Sequence, residues 1–200
     1  MTTRSIHRTD RRLLRKTAGA AVAVVAATGV LAWSAPSEAE AKVWPEATVH
    51  ADGGLNTRSA PSVHAPKAYL LEDGAKVKID CQISGSLVDG NHDWYLMAAE
   101  GEAKWMSGRY LDVQGAPATC GSVPTISAVT TAKTGAFQGP STQDRRNERL
   151  KAGETVAVYC YTDTAPDGRP AQRWVAAEES GWIKASKIDA DKELPYCSQA

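Results

Sequence analysis

Cysteine carries the most definite chemistry in this chain. Cys81, Cys120, Cys160 and Cys197 are its four cysteines in 200 residues. Thiols can ligate metal, attack a substrate or crosslink. No CxxC occurs and no histidine stands at ligand spacing, so a zinc site has no support. In a chain that leaves the cell, structural disulfides are the expected use. Other catalytic arrangements are thin. His50, His64 and His92 are isolated, and Ser59, Ser107 and Ser180 lack a nucleophile elbow. Asp73, Asp80 and Asp89 lie near turns, where aspartate is ordinary. No enzyme, no metal and no cofactor are expected.

Tryptophan and tyrosine offer binding chemistry instead, since rings stack on sugars and cover peptides with little entropy loss. Trp94 and Trp174 have two readings, an exposed platform or a core-edge ring packed beneath a loop. Trp105 and Trp182, each followed by an apolar residue, read mainly as core. Tyr95 is out of phase with Trp94, so one of the two should face outwards, and Tyr95 is the expected one. Tyr110 is a further groove candidate.

The elements that would hold these residues occur twice. A shift of 79 residues lays Leu71-Glu72-Asp73-Gly74 on Leu150-Lys151-Ala152-Gly153, and Pro61 on Pro140. It also lays Lys76 to Cys81 on Thr155 to Cys160. Small length changes then align Trp94 with Trp174, Trp105-Met106 with Trp182-Ile183, Leu111 with Ile188 and Cys120 with Cys197. The repeat chooses among the three possible pairings: Cys81 with Cys120, and Cys160 with Cys197. Modules of about 65 residues bury little surface, and a crosslink closing roughly 40 residues contributes about 4 kcal/mol in the chain-entropy model.

Each copy reads as short strands. Val77, Ile79, Cys81 and Ile83 alternate with polar residues, as do Val156, Val158 and Cys160 in the second copy. Each cysteine is therefore expected with the apolar set, at the edge of the core. Asp73-Gly74, Ala152-Gly153, Asp89-Gly90-Asn91 and Asp167-Gly168 mark turns. The fold class expected is all-β, with two tandem small barrels of five or six strands, each holding one disulfide. The organisation is residues 1–41 as signal peptide, 42–113 as first barrel stapled by Cys120, 114–127 as linker and 128–200 as a divergent second barrel.

The motifs of the first copy resemble the bacterial SH3-like (SH3b) family. Leu55-Asn56-Thr57-Arg58-Ser59-Ala60-Pro61-Ser62 resembles its opening motif, and Asp73-Gly74-Ala75-Lys76-Val77 its turn and strand. Trp94-Tyr95-Leu96-Met97 and Trp105-Met106-Ser107-Gly108-Arg109-Tyr110-Leu111 resemble its later strands. The cysteine framework resembles that of secreted actinobacterial members. In the second copy Gly135-Ala136-Phe137-Gln138-Gly139-Pro140 replaces the opening motif, so Asn56 and Arg58 have no equivalents. The resemblance implies SH3-like barrels and a binding module, of the kind that targets cell walls. The ligand-binding set it suggests is Asn56, Arg58, Trp94, Tyr95 and Tyr110. Arg58 could fork onto a carboxylate or tie down the long first loop, and Asn56 could instead brace a turn. Arg145-Arg146-Asn147-Glu148-Arg149 is read as solvated surface of the second copy's long loop.

The N-terminus has the three parts of a secretory leader: Arg4 to Lys16 basic, Ala18 to Trp33 apolar, and Ala39-Glu40-Ala41 at the close. Cleavage is expected after Ala41, with Ala35 as fallback. A retained anchor is disfavoured by the short, alanine-rich run. Asp10 to Lys16 is also a loose twin-arginine pattern, whereas disulfides that form outside favour unfolded export. Removing residues 1–41 takes six basic and three acidic side chains from a chain with 23 of each, leaving a formal charge of −3. That balance gives no footprint for nucleic acid or an anionic membrane. The expectation is a monomeric protein, secreted or held at the cell wall, whose partner is peptidoglycan or, alternatively, another secreted polypeptide.

Overall fold

A computed structural model describes residues 43–99, 104–121, 124–165 and 170–198. The leader read at residues 1–41 and the Asp167-Gly168 turn lie outside these. The protein is all-β and forms two small, curled sheets. The first contains β1 (Glu46–Val49), β2 (Leu55–Arg58), β3 (Lys67–Leu71), β4 (Lys76–Val88), β5 (Asn91–Met97), β6 (Trp105–Ser107) and β7 (Leu111–Gln114). Their order is β3-β2-β6-β5-β4-β1-β7, and the two-residue β8 (Ala118–Thr119) runs parallel along β4. The second contains β9 (Ile126–Thr130), β10 (Thr134–Phe137), β11 (Arg146–Leu150), β12 (Thr155–Thr164), β13 (Gln172–Ala177), β14 (Gly181–Lys184) and β15 (Ile188–Ala190). Its order, β11-β10-β14-β13-β12-β9-β15, repeats the first strand for strand. Among the described residues no helix is long and apolar enough to cross a membrane.

Five or six strands were expected per copy, and each sheet path has seven. The extra strands, β1 and β9, lie ahead of the repeat motifs and bridge β4 to β7 and β12 to β15. They span four and five residues, too short for a period of two to stand out in the sequence. β8 and the start of β9 fall in the stretch read as connector. The Asp89-Gly90 turn joins β4 to β5, with Val88 paired to Asn91 and positive φ at both turn residues (46° and 86°). This is the backbone of a two-residue hairpin loop, which asparagine, aspartate and glycine adopt most readily.

The alternation of β4 does not mean what the sequence suggests. Ile79 pairs with Met97, but Cys81 pairs with Leu96, so two steps on β4 meet one step on β5. Asp80 is the extra residue of a β-bulge. Val77 and Ile79 therefore point into the first sheet's own core, with Val49, Leu55, Tyr95 and Met106. Cys81 and Ile83 point to the opposite face. β12 has the same bulge at Tyr159, because Val158 pairs with Ala177 and Cys160 with Ala176. Val156 and Val158 join Val175 and Ile183 in the second sheet's core, while Cys160 leaves it.

The opposite faces meet each other. Cys81, Ile83, Trp94, Leu96, Trp105 and Cys120 form one buried cluster with Cys160, Trp174, Ala176, Trp182 and Cys197. The disulfides join Cys81 to Cys120 and Cys160 to Cys197, with Cα–Cα separations of 5.0 and 4.9 Å. Both lie in this shared third core, not at the edge of either sheet's own. Across the junction the Trp182 indole Nε1 donates to the Ser84 carbonyl at 2.8 Å. Gly121 N donates to the Ser198 carbonyl at 3.0 Å.

Candidate functional site

β2, β6 and the start of β5 frame a groove on the first sheet, closed on one side by the loop of residues 59–66. The groove encloses about 410 Å³. Asn56, Arg58, Trp94 and Tyr110 line it, together with Leu55 and Val63. Four of the five side chains singled out in the sequence thus converge, because β2 and β6 pair at Arg58–Trp105 and β6 pairs with β5 at Ser107–Trp94.

Each of the four enters differently. Trp94 is only 1% exposed, and its Nε1 donates to the Ser86 carbonyl at 2.8 Å. It forms part of the groove's floor by an edge and is not an open platform. Arg58 is half-buried, and its Nη1 donates to the Ala65 carbonyl at 2.7 Å. The guanidinium therefore ties down the 59–66 loop while facing the groove, and burial lowers its pKa. Tyr110, half-buried in the turn after β6, donates its hydroxyl to Asp89 Oδ2 at 3.2 Å. The Arg109 guanidinium stands 5.6 Å over the Tyr110 ring. Asn56, half-buried on β2, pairs with Leu70 of β3.

Tyr95 departs from the expectation. It is 9% exposed and packs in the first sheet's own core, away from the groove. The alternation between Trp94 and Tyr95 holds, but neither faces water. Trp94 points to the core shared with the second repeat, and Tyr95 points inwards. Trp105, Trp174 and Trp182 are buried in the shared core as well. Period two identifies two faces; it does not say what covers each. Burial, then the Asp93 charge, raises the Tyr95 phenol pKa.

The apolar part of the groove was not singled out from the sequence. Leu55, Val63 and Val88 line it, and only the position of Leu55 within the opening motif offered a signal. In the second repeat the place of Arg58 belongs to Phe137, which pairs with Trp182 as Arg58 pairs with Trp105. Its ring packs against the shared core. Arg145 to Arg149 are exposed as expected, but Arg146 onwards form the edge strand β11 instead of a loop. A second concavity of about 340 Å³ lies between the repeats, with Ser84, His92, Tyr159, Glu178 and Trp182 among its walls. Among the described residues no group of three or more His, Cys, Asp or Glu side chains could hold a metal ion.

No family model and no curated protein matches the chain. Solved structures with low-level similarity include the following. NlpC2 from Trichomonas vaginalis is 13% identical at a TM-score of 0.25, over 74% of this chain and 49% of that one. NlpC1 from the same organism is 12% identical at a TM-score of 0.26, over 75% and 47%. The CBD of endolysin LysPBC5 is 15% identical at a TM-score of 0.29, over 76% and 96%. The chain thus spans about half the length of the two NlpC structures. At these TM-scores the likenesses carry no argument about what this protein binds.

Proposed function

We propose that this protein is an exported, non-enzymatic module whose first repeat binds peptidoglycan through its peptide portion. The observation that carries the reading is the convergence of Asn56, Arg58, Trp94 and Tyr110 on one groove. These residues come from the motifs that resemble the bacterial SH3-like family. The groove's chemistry suits a short peptide. Leu55, Val63 and the Trp94 edge give an apolar floor, while Arg58 offers a fork for a carboxylate and Asp52 an acceptor for an amine. Two disulfides suit an oxidising compartment outside the cytoplasm. Phe137 in place of Arg58 makes the second repeat a structural partner in this reading.

The test is co-sedimentation of the purified protein with protein-free cell walls at moderate salt. Retention is expected, and it falls in Asn56→Ala and Tyr110→Ala. No retention of the wild type overturns the reading. Capture of a single stoichiometric protein from culture supernatant, with no wall retention, would point to a polypeptide partner instead.

A further inference from the structure

The tip of the groove-side loop is held from the second repeat. Val63 N donates to Ser86 Oγ at 3.1 Å, and His64 N donates to Ser62 Oγ at 3.1 Å. Both hydroxyls in turn donate hydrogen bonds to one carboxylate. Ser62 Oγ donates to Asp144 Oδ2 at 3.0 Å, and Ser86 Oγ donates to Asp144 Oδ1. Asp144 belongs to the second repeat's loop and is buried. Two consecutive amides of the first repeat thus reach, each through a serine, the two oxygens of a single side chain.

The geometry requires an acceptor at both oxygens. Each serine oxygen already accepts from a backbone N–H, so its own proton must find an acceptor, and a carboxylate offers two. The arrangement runs one way. The second repeat has the same local turn, with Gln143 N donating to Ser141 Oγ at 3.1 Å. The first repeat, however, has Ala65 at the place of Asp144, so it returns no carboxylate. Close approach is built into the second loop at Gly139. A Cβ there would stand 2.7 Å from Ser86 Oγ and 2.9 Å from Ser86 N.

We propose that Asp144 is a positioning residue through which the second repeat sets the wall of the first repeat's groove. Val63 is part of that wall, whereas His64 is not. Arg58 anchors the same loop from within the first repeat, at the Ala65 carbonyl. The loop is therefore fixed from both sides before any ligand arrives, which lowers the ordering cost of binding. The part that concerns ligand rests on the peptidoglycan reading; the part that concerns the loop does not.

The test combines residue-resolved amide exchange with wall retention, on the intact protein. In Asp144→Asn one acceptor becomes a donor, and the amides of Val63 and His64 are expected to exchange about tenfold faster, the worth of one hydrogen bond. Retention falls severalfold. The single relays separate the effect from general loosening. Ser86→Ala speeds Val63 and weakens retention, whereas Ser62→Ala speeds His64 and leaves retention unchanged. Unchanged exchange at both amides in Asp144→Asn, or acceleration spread evenly over both sheets in all three variants, overturns the proposal. So does faster exchange of Val63 with full retention in Asp144→Asn. If wild-type protein is not retained at all, the peptidoglycan reading falls, and the exchange pattern alone decides whether Asp144 positions the loop.

Discussion

Phe137 meets Trp174 edge-on, with ring centroids 5.8 Å apart and planes at 89°, at the position where the first repeat carries Arg58. One substitution in a duplicated frame thus exchanges a loop-tying cation for an aromatic plug. The exchange predicts unequal roles. Phe137→Ala should cost about 2 kcal/mol, less than full loss of a core phenylalanine because the ring is only half-buried. Chemical denaturation would show the cost, and wall retention should not change.

Arg58 and Ala65 give the complementary case. Arg58→Met keeps the stem but removes the charged donor to the Ala65 carbonyl. A hydrogen bond from a charged group is worth about 1.5–3 kcal/mol. A loss in that range is expected in the denaturation midpoint, with faster proteolysis confined to residues 59–66. Loss of stability without local cleavage would show that Arg58 does not tie the loop.

Trp105 and Trp182 occupy equivalent places in the shared core and are both fully buried. Trp182 Nε1 donates to the Ser84 carbonyl, while Trp105 Nε1 has no hydrogen-bond partner among the described residues. Trp182→Phe should therefore cost about 1 kcal/mol more than Trp105→Phe. Equal costs would mean that the junction hydrogen bond contributes nothing.

Removing one disulfide should weaken both repeats together. The closed loops span 39 and 37 residues, so Cys81→Ala with Cys120→Ala should cost about 4 kcal/mol. Because all four sulfurs lie in one core, denaturation of this variant is expected as a single transition at a lower midpoint. Two separated transitions would refute the coupling.

Alkaline pH should destabilise the protein through its tyrosines. Burial raises the pKa of Tyr69, Tyr95 and Tyr159 above the ordinary 10.0, and the Glu178 charge and hydrogen bond add to the rise at Tyr159. The unfolded chain then loses these protons first. The contribution is fully present below about pH 10 and is lost as pH rises through the folded pKa values. Denaturation midpoints measured across this range should fall, and fall less steeply in Tyr159→Phe.

Much of this molecule is legible in its sequence, in a graded way. The repeat, the cysteine pairs and the Asp89-Gly90 turn rest on local spacing and turn chemistry, and the structure contains each. The strand phase at Val77, Ile79 and Cys81 is also visible, but its meaning is not. A bulge at Asp80 turns the later half over, and nothing in the alternation itself marks the inserted step. The placement of Tyr95 failed for a related reason: both faces of the strand are covered, that of Tyr95 by the first sheet's own core and that of Trp94 by the other repeat. Asp144 gave no signal, because its partners Ser62 and Ser86 lie 82 and 58 positions away and are ordinary residues one by one.

The matched bulges at Asp80 and Tyr159 have a consequence for assembly. Each half of the chain turns equivalent residues, cysteine and paired tryptophans included, onto the other. Such an interface uses equivalent patches of both copies, as a homodimer's does, although individual contacts such as Trp182 to Ser84 are not reciprocated. Either half alone would bare an apolar patch and be expected to associate with itself. The covalent tandem makes that pairing intramolecular and independent of concentration. It also lets the two copies diverge, which a homodimer cannot do, so that Asp144 stands on one side and Arg58 on the other.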